Sequence, residues 1–317
     1  MKKIRLALIA GGKSDEREVS LKGAAGVEAA LDPEKYAVIR YDPAIDLARL
    51  AADAEQLDAA FILLHGLYGE DGTIQGFLDL LGIPYQGAGV LGSATAMDKN
   101  LAKTLYRIEG LPVAPWLMAA KADIADPARL VSGVRLPCVV KPVRQGSSIG
   151  MSIVRSVEAL GPALALAFKH DDQVMVEGYI QGRELTASVL GNQDLRALPL
   201  IEIIPDSRYD FFNYEAKYQP GASKEICPAE VDESVRVQAQ EYALRAHRCL
   251  GLRGYSRTDM ILSSGDNKLY LLETNTIPGM TPTSLFPQAA AAAGYPFPVL
   301  LDSLIELALQ GRKRSTE

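Results

Sequence analysis

A chain of 317 residues that is 48% hydrophobic and 23% charged has ordinary globular composition and enough length for two or three domains. A formal charge of −6 excludes a general basic footprint for nucleic acid, although a local basic pocket is compatible with it. Cys138, Cys227 and Cys249 are widely spaced and match no metal spacing or disulfide framework, so reduced thiols in packed positions are expected.

Met1-Lys2-Lys3 before the apolar run 4–10 imitates the start of a signal peptide. Arg5 interrupts that run, and Gly11-Gly12-Lys13 ends it too early for a secretory core. The segment reads as a buried first strand and a glycine turn. No run approaches transmembrane length, so a soluble, cytoplasmic protein with no membrane partner is expected. Glu16 and Glu18 precede and open an alanine-rich helix over 19–31, where acids suit the helix dipole. A strand over 57–64 ends at His65-Gly66, and a short amphipathic helix follows at 75–81. This alternation is the rhythm of a parallel α/β layer, whose function concentrates at strand carboxyl ends. The glycine-dense stretch from His65 to Gly72 sits at such an end. It is either a tight turn or a place where backbone meets ligand. His65 has a capping or core role as its alternative, and Asp71 can cap the next helix.

A second region opens with a helix over 95–107, followed by the punctuating Pro112 and Pro115. Strands are predicted at 136–140 and 174–177, with a Gly/Ser loop and a helix over 157–168 between them. Lys141 stands at a strand end, and Gly146, Ser147, Ser148 and Gly150 follow. Backbone N–H groups in such a loop can cradle phosphate, and lysine adds a point charge. No G-K-[ST] closes it, so it is not a P-loop. By itself a Gly/Ser loop often only turns the chain. Glu177-Gly178-Tyr179-Ile180 leads from a strand into a connector that could grip a base, with Glu184 for a ribose; a domain hinge is the alternative.

The third region has strands at 185–190 and 198–204, a polar loop over 205–223 and a long helix over 232–250. Four aromatics between Asp210 and Tyr218 suggest a lid that excludes water, or a satellite apolar cluster. A hairpin then spans Arg257 to Glu273, and the alanine-rich tail over 288–309 is helical. Residues two apart on a strand share a face. If the hairpin centres on Asp266, Asp259 opposes Glu273 and Arg257 opposes Asn275. Facing carboxylates repel, so the arrangement asks for a cation. Asp, Glu and Asn are hard oxygen ligands suited to Mg²⁺, and arginine can stabilise developing negative charge. A solvated strand face with charge pairs is the other reading of this segment.

The ordered set of segments resembles the ATP-grasp ligases and, within them, the D-alanine–D-alanine ligases. The segments are E-R-E-V-S at 16–20, H-G-L-Y-G-E-D-G-T-I-Q-G at 65–76 and M-D-K at 97–99. V-K-P-V-R-Q-G-S-S-I-G-M-S at 140–152, Y-E-A-K-Y at 214–218, R-T-D at 257–259 and E-T-N-T-I-P-G-M-T-P-T-S-L at 273–285 continue it. The resemblance covers nearly the whole chain. It implies an α/β fold of three-domain ATP-grasp architecture. Residues 1–93 would form an N-terminal α/β substrate domain, 94–180 a central subdomain and 181–317 a C-terminal metal and catalytic domain. It implies that ATP activates one D-alanine as an acyl phosphate, which the amine of a second D-alanine attacks.

By the same resemblance, Lys99, Lys141 and Ser148 would meet ATP phosphates. Glu177, Tyr179, Ile180 and Glu184 would hold adenine and ribose. Asp259, Glu273 and Asn275 would bind two Mg²⁺, with Mn²⁺ as an alternative. Arg257 and the Gly279 N–H would stabilise the oxyanion. Glu16, with His65 nearby, would anchor the first D-alanine, and Ser284 would hold the carboxylate of the second. Ser147 and Tyr218 would bond with Glu16, and Lys217 would contribute from the lid. A homodimer is expected from the resemblance only. The sequence departs from the family at Phe211-Phe212-Asn213, at Thr258, where an aliphatic is common, and at Ile277.

Overall fold

The computed structural model describes residues 2–14, 16–206 and 223–312. Three sheets follow one another along the chain. The first is parallel, in the order β2-β1-β3, from β1 (Ile4–Ile9), β2 (Tyr36–Tyr41) and β3 (Ala59–Ile62). Helices α1 (Arg17–Ala30), α2 (Leu47–Ala52) and α3 (Thr73–Leu80) connect and follow these strands. Leu6, Ala7, Leu8 and Ile9 of β1 are all buried, as a central parallel strand covered on both faces requires.

Helices α4 (Val90–Met97) and α5 (Lys99–Ile108) lead to the second sheet. The expected single helix over 95–107 is therefore two. Asp98 takes an extended backbone, and its side chain accepts the Leu101 N–H at 2.9 Å, so it ends one helix and caps the next. The second sheet is antiparallel, in the order β4-β7-β5-β6, from β4 (Trp116–Ala119), β5 (Cys138–Pro142), β6 (Ser152–Val154) and β7 (Val174–Gly178). Helices α6 (Ala128–Gly133) and α7 (Leu160–Ala167) accompany it. Its apolar core gathers Val140, Val154, Leu164, Val174 and Val176.

The third sheet runs β11-β10-β8-β12-β13, with β9 beside β8. Its strands are β8 (Gly182–Gly191), β9 (Arg196–Ala197), β10 (Ile201–Pro205), β11 (Ser223–Ile226), β12 (Gly254–Ser263) and β13 (Leu269–Asn275). Helix α8 (Glu233–Cys249) lies against it. The tail forms α9 (Leu285–Ala292) and α10 (Phe297–Arg312), which meet at 102°. The expected continuous helix breaks there because Gly294 adopts φ +87° and Pro296 follows. Phe286, Leu300, Leu301 and Leu304 of these helices share one core with Leu6, Leu8 and Phe61 of the first sheet, with Leu63 just past β3 and with Tyr255 of β12. The end of the chain thus packs its beginning against the hairpin strand. No single helix among the described residues is long and apolar enough to cross a membrane.

Candidate active site

The hairpin carries the site. Its register pairs Arg257 with Asn275 and Asp259 with Glu273, as a turn centred on Asp266 requires. A bulge between Asp259 and Met260 then shifts the register, so that Met260 faces Leu271. The bulge separates the charged end of the hairpin from its apolar end. Arg257 donates to both oxygens of Asp259 at 2.8 Å, and Asn275 Nδ2 donates to Asp259 Oδ2 at 3.1 Å. Burial disfavours the Arg257 charge, but Asp259, Glu273 and Glu70 outweigh it and hold the guanidinium firmly protonated. On the opposite face, Tyr106 donates to Thr274 Oγ1 at 2.7 Å, and Thr274 and Thr258 exchange a hydrogen bond at 2.9 Å. Thr258, the departure from an aliphatic, is thereby satisfied in a buried position.

Helix α5 brings Lys99 to the same face. Its Nζ lies 3.1 Å from Glu273 Oε2 and donates to the Gln145 carbonyl at 2.7 Å. Lys141, on β5, lies 2.5 Å from Glu177 Oε1 on β7. The other oxygen, Oε2, lies 2.8 Å from Lys103. Burial acts to raise the Glu177 pKa, but the two lysines pull it down to about 2. Lys99, Lys141, Ser148, Glu177, Tyr179, Ile180, Glu184, Asp259 and Glu273 line one cleft between the second and third sheets. Val139, Met151, Ile153, Ile261 and Leu272 supply its apolar walls. The cleft therefore combines cations and carboxylates with apolar walls. That combination suits a nucleotide.

A second focus lies at Glu16. It precedes α1 without capping it, and it accepts a 2.5 Å hydrogen bond from Ser147. Added Cβ atoms on Gly66 and Gly146 would sit 3.3 and 3.2 Å from Glu16 Oε2, so both loops approach the carboxylate closely because they carry glycine there. Ser147 and Ser148 have φ of +50° and +58°. Left-handed backbone at non-glycine residues costs free energy and gathers at functional loops. His65 is buried beside Glu16, and burial pushes its pKa down against the opposing pull of Glu16. Burial, with repulsion from Glu16, pushes the Glu70 carboxyl up to about 8. Gly66 N–H donates to that carboxyl at 2.8 Å. Ser284 opens α9, and its Oγ accepts from the Thr281 N–H at 3.1 Å. A Cβ on Gly279 would meet that Oγ at 3.0 Å, so glycine lets the two approach. Lys217, Tyr218 and the rest of the expected lid lie outside the described residues.

A sequence model described as D-ala D-ala ligase C-terminus matches residues 105–306, and one described as D-ala D-ala ligase N-terminus matches residues 43–88. The D-alanine–D-alanine ligase of Desulfotalea psychrophila is 62% identical, over 98% of this chain and 97% of the relative. The chain belongs to the D-alanine–D-alanine ligase family. The ligase of Syntrophobacter fumaroxidans is 58% identical, over 97% of this chain and 98% of its own. The Bacillus anthracis ligase, solved in complex with ATP, superposes with a TM-score of 0.84 at 34% identity, covering 98% of this chain and 99% of that one. A D-Ala:D-Ser ligase from Enterococcus faecalis superposes with a TM-score of 0.82 at 31% identity, covering 97% of this chain and 100% of its own. The ATP-grasp fold is therefore common to ligases of more than one acceptor specificity.

Sequence reasoning missed Glu70 and Lys103. Glu70 was hidden in a glycine-dense loop, where Asp71 offered a simpler capping role. Lys103 lies four residues after Lys99 on a capped helix, so the two share a face. That spacing was the available signal.

Proposed function

We propose that this chain is an ATP-dependent D-alanine–D-alanine ligase that makes D-alanyl-D-alanine for peptidoglycan precursors. The observation that carries the reading is the single cleft lined by Lys99, Lys141, Glu177, Asp259 and Glu273, with the Glu16–Ser147 pair in a second focus. Lys99, Lys141 and the loop at Ser148 would neutralise the ATP phosphates, while Glu177, Tyr179, Ile180 and Glu184 hold adenine and ribose. The carboxylate oxygen of one D-alanine attacks the γ-phosphorus and ADP leaves. The amine of the second then attacks the acyl-phosphate carbonyl carbon, and inorganic phosphate leaves from the tetrahedral intermediate. Glu16 would anchor the first ammonium, oriented by Ser147 and, in this reading, Tyr218, with His65 nearby. Ser284 would hold the second carboxylate and Lys217 would reach in from the lid. Arg257 and the Gly279 N–H would meet the oxyanion.

Asp259, Glu273 and Asn275 form a hard oxygen donor set on one strand-pair face, and each of the two acids already lies against a cation. That set fits Mg²⁺ or Mn²⁺, and we assign these three residues to two ions. Bound there, the ions would supply positive charge against the phosphates. Division into residues 1–93, 94–180 and 181–317, a homodimeric state and a cytoplasmic location belong to the same reading.

The test is incubation with ATP, Mg²⁺ and D-alanine, following phosphate release and dipeptide mass, with L-alanine, D-serine and D-lactate as parallel acceptors. D-alanyl-D-alanine as the main product, with kcat lowered on the order of 10²–10³-fold in Arg257→Ala, is the expected outcome. Phosphate release without D-alanyl-D-alanine would overturn the acceptor assignment. ATP binding without turnover would overturn the enzyme.

A further inference from the structure

Helix α5 buries Lys99, Ala102, Lys103 and Tyr106 on one stripe. A core-facing stripe ordinarily takes apolar residues, yet two of these four are lysines. Lys99 reaches the cleft, whereas Lys103 does not line it. The Lys103 side chain is completely buried, near the Trp116 ring, and its Nζ is 3.4 Å from the Leu271 carbonyl. Its ion pair is with Glu177 Oε2 at 2.8 Å, while Lys141 takes Oε1 at 2.5 Å. One carboxylate is thus shared between a lysine behind it and a lysine facing the cleft.

Burying an ammonium is costly before any pairing, and a methionine would fill similar volume without that cost. Burial indeed pushes the Lys103 pKa down, against the pull of Glu177. Packing alone therefore does not account for a lysine here. The charge count does. With Lys103 present, the three groups carry a net single positive charge. Without it, Lys141 and Glu177 cancel, and Lys141 becomes the sole cation on a buried carboxylate.

We propose that Lys103 is a positioning residue for nucleotide binding: by taking up the charge of Glu177 from behind, it leaves the charge of Lys141 available to the phosphates in the cleft. This rests on the reading that the cleft binds ATP with Lys141 on its phosphates. Lys103 itself never touches the nucleotide. Its effect passes through one carboxylate, and that makes it separable from a packing role.

The experiment is a double-mutant cycle read by KM for ATP, by KM for D-alanine and by ADP calorimetry. The variants are Lys103→Met, Glu177→Gln, the two combined, and Lys141→Met. Lys103→Met should raise KM for ATP about tenfold or more, with kcat and KM for D-alanine each within about threefold of the parent. In the Glu177→Gln background the same substitution should change ATP and ADP affinity by less than about twofold, because no charge remains to be taken up. An equal loss of affinity in both backgrounds would assign Lys103 to packing and overturn the proposal. If Lys103→Met alone does not fold, the comparison within the Glu177→Gln background still decides, since a loss of affinity there contradicts the mechanism. Lys141→Met separates the two readings. Unchanged ATP affinity in that variant removes the premise and the proposal with it, whereas weakened binding there with no effect of Lys103→Met sinks the Lys103 role alone.

Discussion

Glu16 shows what a single residue's neighbourhood adds. An acid just before a helix suits the dipole, and nothing local argues for more. In the folded chain it accepts no helix N–H through its side chain and instead bonds Ser147, 131 residues away. Ser147 in turn is held in left-handed backbone at φ +50°. A hydrogen bond to a charged group is worth roughly 1.5–3 kcal/mol, so Ser147→Ala should raise KM for the first D-alanine on the order of tenfold or more. Its effect on KM for ATP should be smaller, because Ser147 does not line the nucleotide cleft. Steady-state kinetics with each substrate varied in turn checks this. Equal effects on both would contradict the separation of the two foci.

At the scale of elements, the hairpin was the most legible part of the site. Period-two alternation and a turn cluster were enough to place Arg257 opposite Asn275 and Asp259 opposite Glu273. The bulge beyond Asp259 was not legible, because one unpaired residue leaves the polar end of the pattern intact. Nor was the hydroxyl chain from Tyr106 through Thr274 to Thr258, which joins α5 to the underside of the hairpin. Thr274→Val leaves both Tyr106 and Thr258 without that partner and should cost ~1–3 kcal/mol of stability in urea unfolding. A cost below about 0.5 kcal/mol would mean the chain does not brace the hairpin.

Helix α8 makes a pH prediction of its own. His247 is fully buried, with its Nδ1 2.7 Å from Ser256 Oγ on β12, and burial pushes its pKa down from 6.5 to about 4. As pH falls from 6.5 towards about 4, the unfolded chain takes up a proton that the folded chain refuses, so the folded state loses stability. Replacing the imidazole removes that loss. The stability advantage of the parent over His247→Gln should therefore shrink as pH falls through this window, by up to roughly 1.4 kcal/mol per pH unit. A pH-independent difference in urea midpoints would rule out a neutral buried imidazole.

Across the whole molecule, three sheets share the work. The cleft lies between the second and third, and its residues come from α5, β5, β6, β7, β8, β12 and β13 and from the loops at 145–151 and 179–180. A ligand in that cleft binds the folded chain, whose assembled elements form the cleft, so it should stabilise the fold by linkage. ATP with Mg²⁺ at about 100 times its Kd should add ~2.7 kcal/mol, read as a higher thermal midpoint that D-alanine alone does not reproduce. No shift at saturating nucleotide would contradict binding in the folded state.

The sequence by itself determined the chain's family, the strand-and-helix rhythm of its first layer, and the face of the hairpin on which Arg257, Asp259, Glu273 and Asn275 stand. Those readings rest on local periodicity and on ordered motifs, which are properties of short segments. Only the tertiary structure decided that Lys103 shares Glu177 with Lys141, that Ser147 bonds Glu16, and that α9 and α10 close a core with β1 and β3. These pairings join residues 36 to about 300 positions apart. A buried charge finds its partner through the packing of whole sheets, and segment-level patterns carry no record of which distant side chain will be there.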